Sequence, residues 1–184
     1  MQAGLESFLL VAVSEMGDKT QLLALVLASR FRKPWAIMAG ILVATILNHA
    51  LASWIGVHLA HFVPADIMKW VLAFTFFTFA GWLLIPDSEE DLKERSHHGA
   101  FLTTLVTFFL AEMGDKTQIA TLALGAKFKS TLWVTMGTTM GMLVADGLAV
   151  FFGDELTKRI SLKWVHRIAC ALFVAFGIAI LLGF

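Results

Sequence analysis

Two identical seven-residue blocks contain most of the side chains in this chain that could do chemistry. The sequence Glu-Met-Gly-Asp-Lys-Thr-Gln occupies residues 15–21 and recurs unchanged at 112–118, an offset of 97 residues. Each block carries two carboxylates, one ammonium, one hydroxyl and one amide. Carboxylate, hydroxyl and amide oxygens are the hard ligands that suit Ca²⁺, Mn²⁺ and Mg²⁺ rather than copper or zinc. The blocks therefore indicate a site for a hard divalent cation.

The four carboxylates of the two blocks are the predicted cation ligands. On a continuous helix, Glu15 and Asp18 share one face because they lie three positions apart, and so do Glu112 and Asp115. The two blocks together carry a formal charge of minus two, which one divalent cation or two protons would balance. The alternative is a buried ion-pair network that only locks the two regions together. Four acids against two lysines leave surplus negative charge, which favours the cation site.

The other block residues have secondary predicted roles. Additional candidate ligands are the oxygen- and sulfur-bearing side chains Thr20, Gln21, Thr117, Gln118, Met16 and Met113. A thioether would favour Mn²⁺ over Ca²⁺, whereas simple packing is the alternative for both Met residues. Lys19 and Lys116 are predicted to balance charge, either by pairing with the Glu four positions earlier or by reaching toward the membrane interface. The glycines of the blocks, Gly17 and Gly114, permit a close helix crossing or a local unwinding that frees carbonyl oxygens.

The composition of the chain places these blocks in a membrane protein. Hydrophobic residues make up 58% of the 184 residues, charged residues make up 15%, and the mean hydropathy is +0.78. An ordinary soluble domain has about 25% charged residues. This excludes a soluble enzyme and a disordered protein, and 14 basic against 14 acidic residues leave no basic footprint for nucleic acid. Cys170 is the single cysteine, which excludes an intramolecular disulfide, and residues 1–8 lack the basic start of a cleaved signal peptide.

Six apolar stretches predict an all-α integral membrane protein with six transmembrane helices. The stretches cover residues 5–28, 34–57, 66–85, 101–125, 131–153 and 164–183. The offset of 97 also aligns Phe31 with Phe128, Gly40 with Gly137, Gly56 with Gly153, and Phe76 and Phe79 with Phe173 and Phe176. We predict a three-helix repeat at 1–86, an acidic cytoplasmic linker at 87–98 and a second repeat at 99–184. Because each unit has an odd number of spans, the two repeats should be inverted, as in secondary transporters.

The distribution of basic residues predicts the orientation in the membrane. Loops one, three and five hold nine Lys and Arg residues: Arg30, Arg32, Lys33, Lys93, Arg95, Lys158, Arg159, Lys163 and, at a helix edge, Arg167. The opposite side holds three, which are Lys69, Lys127 and Lys129. The positive-inside rule places the richer side in the cytoplasm, and both termini outside. For a bacterial protein this is the inner membrane.

Charged and polar residues within the spans are expensive and therefore predict function. Each Glu, Asp or Lys at a helix centre costs about 2.5–3.5 kcal/mol on insertion scales, so the blocks must face one another or a wet cavity. Asn48 and His49 lie within the second span, and the offset places Ala145 and Asp146 opposite them. Asn48, His49 and Asp146 could line the pathway or carry protons. Hydrogen bonding to a neighbouring helix is the alternative.

The two blocks resemble the signature of a known transporter family. Glu15–Thr20 and Glu112–Thr117 both fit the pattern E-x-G-D-[KR]-[TS], and a duplicated copy in a six-span chain of this size is similar to the Golgi-type calcium/manganese–proton antiporter family. The small bacterial manganese exporters of that family are the nearest likeness. The resemblance implies cation/proton antiport with Glu15, Asp18, Glu112 and Asp115 as the site. It also places the family near the lysine-exporter superfamily, and it assigns no role to Asn48, His49 or Asp146.

The sequence thus predicts a transporter that exports Mn²⁺, or Ca²⁺, in exchange for protons. The alternatives are a small amino-acid exporter of the lysine-exporter type, whose carboxylates would bind an ammonium group, and a dimeric cation channel. An intramembrane hydrolase is disfavoured because no Ser/His or Cys/His pairing is apparent, so we expect no enzyme activity. We expect no cofactor, since the metal ion is the substrate. The other expected partners are protons, the lipid bilayer and a second copy of the chain in a homodimer, with no nucleic acid.

Overall fold

The computed structural model describes residues 1–82, 99–159 and 162–183, and this part of the chain is helical with no strands. The helices are α1 (Gln2–Ser14), α2 (Lys19–Phe31), α3 (Pro34–Phe62), α4 (Ala65–Trp82), α5 (Ala100–Glu112), α6 (Lys116–Phe128), α7 (Thr131–Arg159) and α8 (Leu162–Leu182). The predicted acidic linker at 87–98 lies outside the described residues.

The first and fourth apolar stretches each form two helices with a break inside the repeated block. At the breaks, Gly17 and Gly114 have φ values of +85° and +78°, a left-handed conformation that glycine adopts without steric cost. Asp18 and Asp115 follow with extended backbone and become the N-caps of α2 and α6. The prediction that Glu15 and Asp18 share one continuous helix face is therefore wrong, as it is for the second block. Of the two uses predicted for the glycines, the structure has the local unwinding.

The backbone repeats as closely as the sequence does. Helices α2 and α6 begin and end at positions 97 residues apart, as do α3 and α7. Both α2 and α6 are followed by a left-handed residue that is not glycine, Arg32 with φ 52° and Lys129 with φ 50°. In each case the backbone N–H of that residue donates to a carbonyl four positions earlier, which closes the helix. The duplicated sequence thus folds into duplicated local structure.

Helices of the first half pack on helices of the second half. Helix α3 contacts α5, α6 and α7, while α1 packs on α7 and α4 on α8. Glycine permits the closest of these approaches: a Cβ on Gly56 of α3 would clash with the carbonyl oxygen of Leu122 on α6. Between α4 and α8, the rings of Phe76 and Phe173 have centroids 5.8 Å apart, and those of Phe76 and Phe176 have centroids 5.1 Å apart. The aligned Phe residues of the repeat therefore pack against one another.

Two helices of the described residues are long and apolar enough to cross a membrane alone. They are Pro34–Phe62 and the segment Thr131–Phe152 of α7, which has non-helical backbone angles at Phe152. The shorter apolar helices are Gln2–Ser14, Ala100–Glu112 and Arg167–Leu182. A helix of 13 residues, such as α1 or α5, is about 20 Å long, which is less than the roughly 30 Å hydrocarbon core.

Candidate cation-binding site

The two helix breaks place the four predicted ligands in one buried region. Glu15, Asp18, Glu112 and Asp115 are all buried. Glu112 interacts electrostatically with Glu15, with Asp18 and with Asp115. A small cavity between the breaks is lined by Ser14, Glu15, Asp18, Phe79, Lys116, Thr117, Ala120 and Phe173, which come from both halves of the chain. The structure therefore brings together the carboxylates that the sequence separates by 97 residues.

The lysine of each block pairs with the aspartate of the other block. Lys116 Nζ lies 2.9 Å from Asp18 Oδ1, and Lys19 Nζ lies 3.2 Å from Asp115 Oδ2. Pairing with the Glu four positions earlier was one of the two predicted arrangements, the other being reach toward the membrane interface, and the break removes the helical spacing that such pairing needs. The two pairs differ in exposure, since the Lys116 side chain is 8% exposed and that of Lys19 is 36% exposed. The ion pairs join the two halves through their identical blocks.

The two glutamates have different surroundings although their blocks are identical. The hydroxyl of Thr20 donates to Glu15 Oε2 at 2.8 Å, and the hydroxyl of Thr117 donates to Glu15 Oε1. Glu112 is fully buried, and neither of its carboxylate oxygens has a hydrogen-bond partner within the described ranges. Both threonines therefore donate to the first glutamate, and neither donates to the second.

The glutamine of each block fixes the break to a helix of the other half. Gln21 Oε1 accepts the backbone N–H of Gly17 at 2.8 Å, and its Nε2 donates to the carbonyl of Ala145 on α7 at 2.7 Å. In the second block, Gln118 Oε1 accepts the backbone N–H of Gly114 at 2.6 Å, and its Nε2 approaches Asn48 Oδ1 on α3 at 3.5 Å. The amide oxygens predicted as candidate ligands are thus engaged by backbone groups.

We predict that Gln21 contributes to stability rather than to cation coordination. Replacing Gln21 with Leu leaves the part-buried Gly17 N–H without its acceptor, which costs about 1–3 kcal/mol, and removes the link from this break to the Ala145 carbonyl of α7. We expect a lower melting temperature of the purified protein in the absence of divalent cations. Gln2→Leu is the matched control, because Gln2 makes only an exposed bond to Glu6, and it should change little. A Gln21→Leu protein of unchanged stability that binds Mn²⁺ poorly would make Gln21 a ligand instead.

The remaining predicted residues differ in burial and in bonding. Met113 is 55% exposed and Met16 is partly buried. Asn48 donates to the carbonyl of Phe109 at 3.0 Å, which is the helix-to-helix alternative predicted for it. His49 is fully buried, and no described group bonds either ring nitrogen. Asp146 is fully buried too, and it interacts electrostatically with Glu15 and Glu112.

The arrangement is rich in carboxylates but does not hold a ready-made coordination shell. Within the described part of the chain, no three His, Cys, Asp or Glu side chains are grouped closely enough to hold one metal ion. In this conformation, lysine ammonium groups already lie against Asp18 and Asp115. A metal ion, an ammonium group or a proton can each neutralise these buried carboxylates, so one cation can replace another there.

Apolar helices surround buried carboxylates from two matching helix breaks, an arrangement typical of membrane proteins that transport ions. The family model described as "Divalent cation/proton antiporter GDT1" matches residues 3–91 and 100–183. The chain belongs to this family of membrane cation transporters, in agreement with the resemblance carried by its two blocks. Its function is thus transport of cations across a membrane.

Curated relatives support the same assignment. The chain is 48% identical over 170 residues to a Vibrio cholerae protein named "Putative manganese exporter", covering 92% of this chain and 85% of the relative. It is 30% identical over 196 residues to "GDT1-like protein sll0615" of Synechocystis, covering 92% of each chain. It is 28% identical over 202 residues to "GDT1-like protein 3" of Arabidopsis thaliana, covering 94% and 68%. No solved structure matches the chain.

Proposed function

We propose that this protein exports Mn²⁺ from the cytoplasm in exchange for protons, with Ca²⁺ as a second substrate. The main observation behind this proposal is that two identical blocks, 97 residues apart, contribute four carboxylates to one buried region: Glu15, Asp18, Glu112 and Asp115. These carboxylates are the proposed ligands. The name of the Vibrio cholerae relative supports Mn²⁺ as the substrate. The metal is cargo in this proposal, and the transporter needs no resident cofactor.

The cross-block ion pairs suggest how the carboxylates function. Asp18 and Asp115 are compensated by Lys116 and Lys19, so a metal ion must displace an ammonium group to use either aspartate. Glu112 has no hydrogen-bond donor among the described residues and can accept a metal ion or a proton directly. Alternate occupation of shared carboxylates by protons and by one metal ion is exchange, because the two cannot be bound there together.

We also propose six membrane spans in two inverted repeats. Helix α1 with α2, and α5 with α6, each provide two 13-residue helices. Together these are about 40 Å long, which is enough for one span of the roughly 30 Å hydrocarbon core. Non-helical backbone at membrane depth is tolerated where it lines a cavity rather than lipid, and broken helices are the usual binding elements of inverted-repeat transporters. The repeats are residues 1–86 and 99–184, and the bacterial inner membrane is the proposed location.

The proposed orientation places the linker at 87–98 in the cytoplasm and both termini outside. In a Cys170→Ala background, a cysteine introduced at Ser88 should resist a membrane-impermeant thiol reagent applied to intact cells and react after lysis. Asp66→Cys is the control, because Asp66 is exposed at the start of α4 on the side predicted to face outward. Labelling of the Ser88 position in intact cells would reverse the orientation.

Mn²⁺ binding should weaken as the pH falls. Because metal and protons compete for the same carboxylates, binding of one Mn²⁺ must release protons. We expect the apparent dissociation constant of the purified protein to rise as the pH is lowered from about 8 to about 5. Isothermal titration calorimetry of Mn²⁺ binding, repeated in buffers with different ionisation enthalpies, measures the number of protons released. A constant affinity over this range, with no proton release, would contradict exchange at these carboxylates.

Tracer flux across proteoliposomes tests the proposed substrate. Vesicles with the purified protein should take up Mn²⁺ with saturable kinetics, Ca²⁺ more weakly, and neither Mg²⁺ nor lysine to a comparable extent. Protein-free vesicles and vesicles with Glu112→Gln protein are the controls. Uptake of lysine without uptake of Mn²⁺ would favour an amino-acid exporter, and flux that does not saturate would favour a channel.

A further inference from the structure

Asp146 is a buried acid on α7 that lies outside both blocks. Its side chain is fully buried, and neither carboxylate oxygen has a hydrogen-bond partner among the residues described. An unpaired carboxylate away from water is strongly unfavourable, so buried acids normally have a cation, a donor or a proton as partner. The partner of Asp146 therefore has to come from elsewhere.

The surroundings of Asp146 indicate where that partner binds. Asp146 interacts electrostatically with Glu15 and with Glu112, one glutamate from each block. The preceding residue, Ala145, accepts the hydrogen bond from Gln21 at 2.7 Å, and the same glutamine holds the Gly17 N–H at 2.8 Å. Asp146 is thus tied to the first helix break through one side chain, and it belongs to the same acidic region.

The repeat shows that this acid is supplied by one half only. The residue 97 positions earlier is His49, which is equally buried but has no carboxylate. The two glutamates also differ between the halves. Glu15 accepts hydrogen bonds from two threonine hydroxyls, whereas Glu112 accepts none that the structure describes. The acids without a hydrogen-bond donor, Glu112 and Asp146, therefore both come from the second half.

We propose that Asp146 is a direct ligand of the transported divalent cation, together with Glu15 and Glu112. This inference rests on the proposed function and adds a ligand to it. Lys116 and Lys19 form ion pairs with the aspartates of the blocks. They interact electrostatically with Glu15 and Glu112 as well, whereas Asp146 interacts with the acids Glu15 and Glu112. Three carboxylates make a hard oxygen shell suited to Mn²⁺ or Ca²⁺. Among the described residues no three acids lie close enough to hold one metal ion in this conformation, so the proposal requires ion binding to draw these three together.

The test is Mn²⁺ binding by the purified full-length protein carrying Asp146→Asn. We expect affinity to fall at least about tenfold, as for loss of one charge-assisted contact. The melting temperature without divalent cations should not fall, because the substitution removes an unpaired buried charge. Thr139→Val is the matched control: Thr139 lies two turns earlier on α7, is buried, and has a hydroxyl with no described partner. This control should bind Mn²⁺ like the wild type.

A second variant tests direct contact with the metal even if Asp146→Asn folds poorly. In a Cys170→Ala background, Asp146→Cys places a soft thiolate ligand in the shell, and thiolate favours Zn²⁺ over Mn²⁺. We expect the ratio of Zn²⁺ to Mn²⁺ affinity to rise at least about tenfold above that of the Cys170→Ala protein, whose Asp146 carboxylate is a hard ligand. An unchanged ratio would overturn the proposal.

Two further outcomes separate this inference from the proposed function. Asp146→Asn protein that binds Mn²⁺ like the wild type would overturn the ligand role, and if it also lost proton coupling, Asp146 would be a proton carrier. In either case the proposed function would stand. Failure of the wild-type protein and of Thr139→Val to bind Mn²⁺ at all would instead overturn both the proposed function and the ligand that rests on it.

Discussion

Replacement of Glu112 by Gln is expected to abolish Mn²⁺ transport while the protein still folds. Glu112 is fully buried and has no hydrogen-bond donor within the described residues, so the isosteric amide removes a charge without breaking a described contact. Loss of one charged ligand costs at least about 1.5–3 kcal/mol, which is more than tenfold in affinity. The measurements are tracer uptake into proteoliposomes and the melting temperature of the same preparation.

The other three block carboxylates should also be essential, but their variants differ in stability. Glu15→Gln is expected to abolish transport with a modest loss of stability, because Glu15 accepts two threonine hydroxyls. Asp18→Asn and Asp115→Asn should abolish transport and also weaken the ion pairs with Lys116 and Lys19. If the carboxylates formed only a structural network, loss of transport would follow loss of stability in all four variants. Wild-type transport by any one of them would contradict a site shared by both halves.

Replacement of Lys116 by Met is expected to cause the largest loss of stability. Lys116 pairs with Asp18 at 2.9 Å, and both side chains are buried. Removing one partner of a buried ion pair leaves the other charge uncompensated and costs about 3–5 kcal/mol. Lys19→Met is the matched control, because Lys19 holds the corresponding pair with Asp115 but is 36% exposed. Thermal unfolding of the purified variants without divalent cations measures the difference.

A double substitution separates charge balance from packing at this pair. Asp18→Asn combined with Lys116→Met removes both charges and should recover much of the stability that Lys116→Met loses, since no uncompensated charge remains. Transport should stay abolished, because Asp18 is a proposed ligand. A double variant as unstable as Lys116→Met would show that the lysine stabilises by packing or by its other contacts. An equal loss of stability in Lys19→Met and Lys116→Met would contradict the expectation that the more deeply buried ion pair contributes more to stability.

Hydropathy and the repeat predicted the helical class and most helix positions, and the glycines of the blocks left the breaks as one of two alternatives. The expected stretches 34–57 and 131–153 lie within α3 and α7, and the helices end a few residues later. The sequence did not decide between unwinding and a close helix crossing at residues 15–18, because apolar residues flank them and no proline marks a break. Its signal was Gly17, followed by Asp18, which is a favoured N-cap residue. Together they fit the end of one helix and the start of the next.

The partners within the site could not be predicted from one block. The spacing of four positions predicts that Lys19 pairs with Glu15 or reaches toward the interface, yet it pairs with Asp115 of the other block. Contacts between distant segments depend on how the halves pack, which local spacing does not determine. The unequal glutamates follow from the same cause, because identical blocks give no reason for both threonines to donate to Glu15. The position of Asp146 beside these acids also arises from packing between the halves.

Proton movement driven by Mn²⁺ in proteoliposomes tests the central claim most directly. Vesicles with an internal pH-sensitive dye and no initial pH gradient receive external Mn²⁺, while an ionophore clamps the membrane potential. We predict that Mn²⁺ enters and protons leave through the wild-type protein, so that the vesicle interior becomes alkaline. Neither ion should move through the Glu112→Gln protein. Saturable Mn²⁺ entry without alkalinisation, or wild-type exchange by the Glu112→Gln protein, would contradict a shared carboxylate site that exchanges Mn²⁺ for protons.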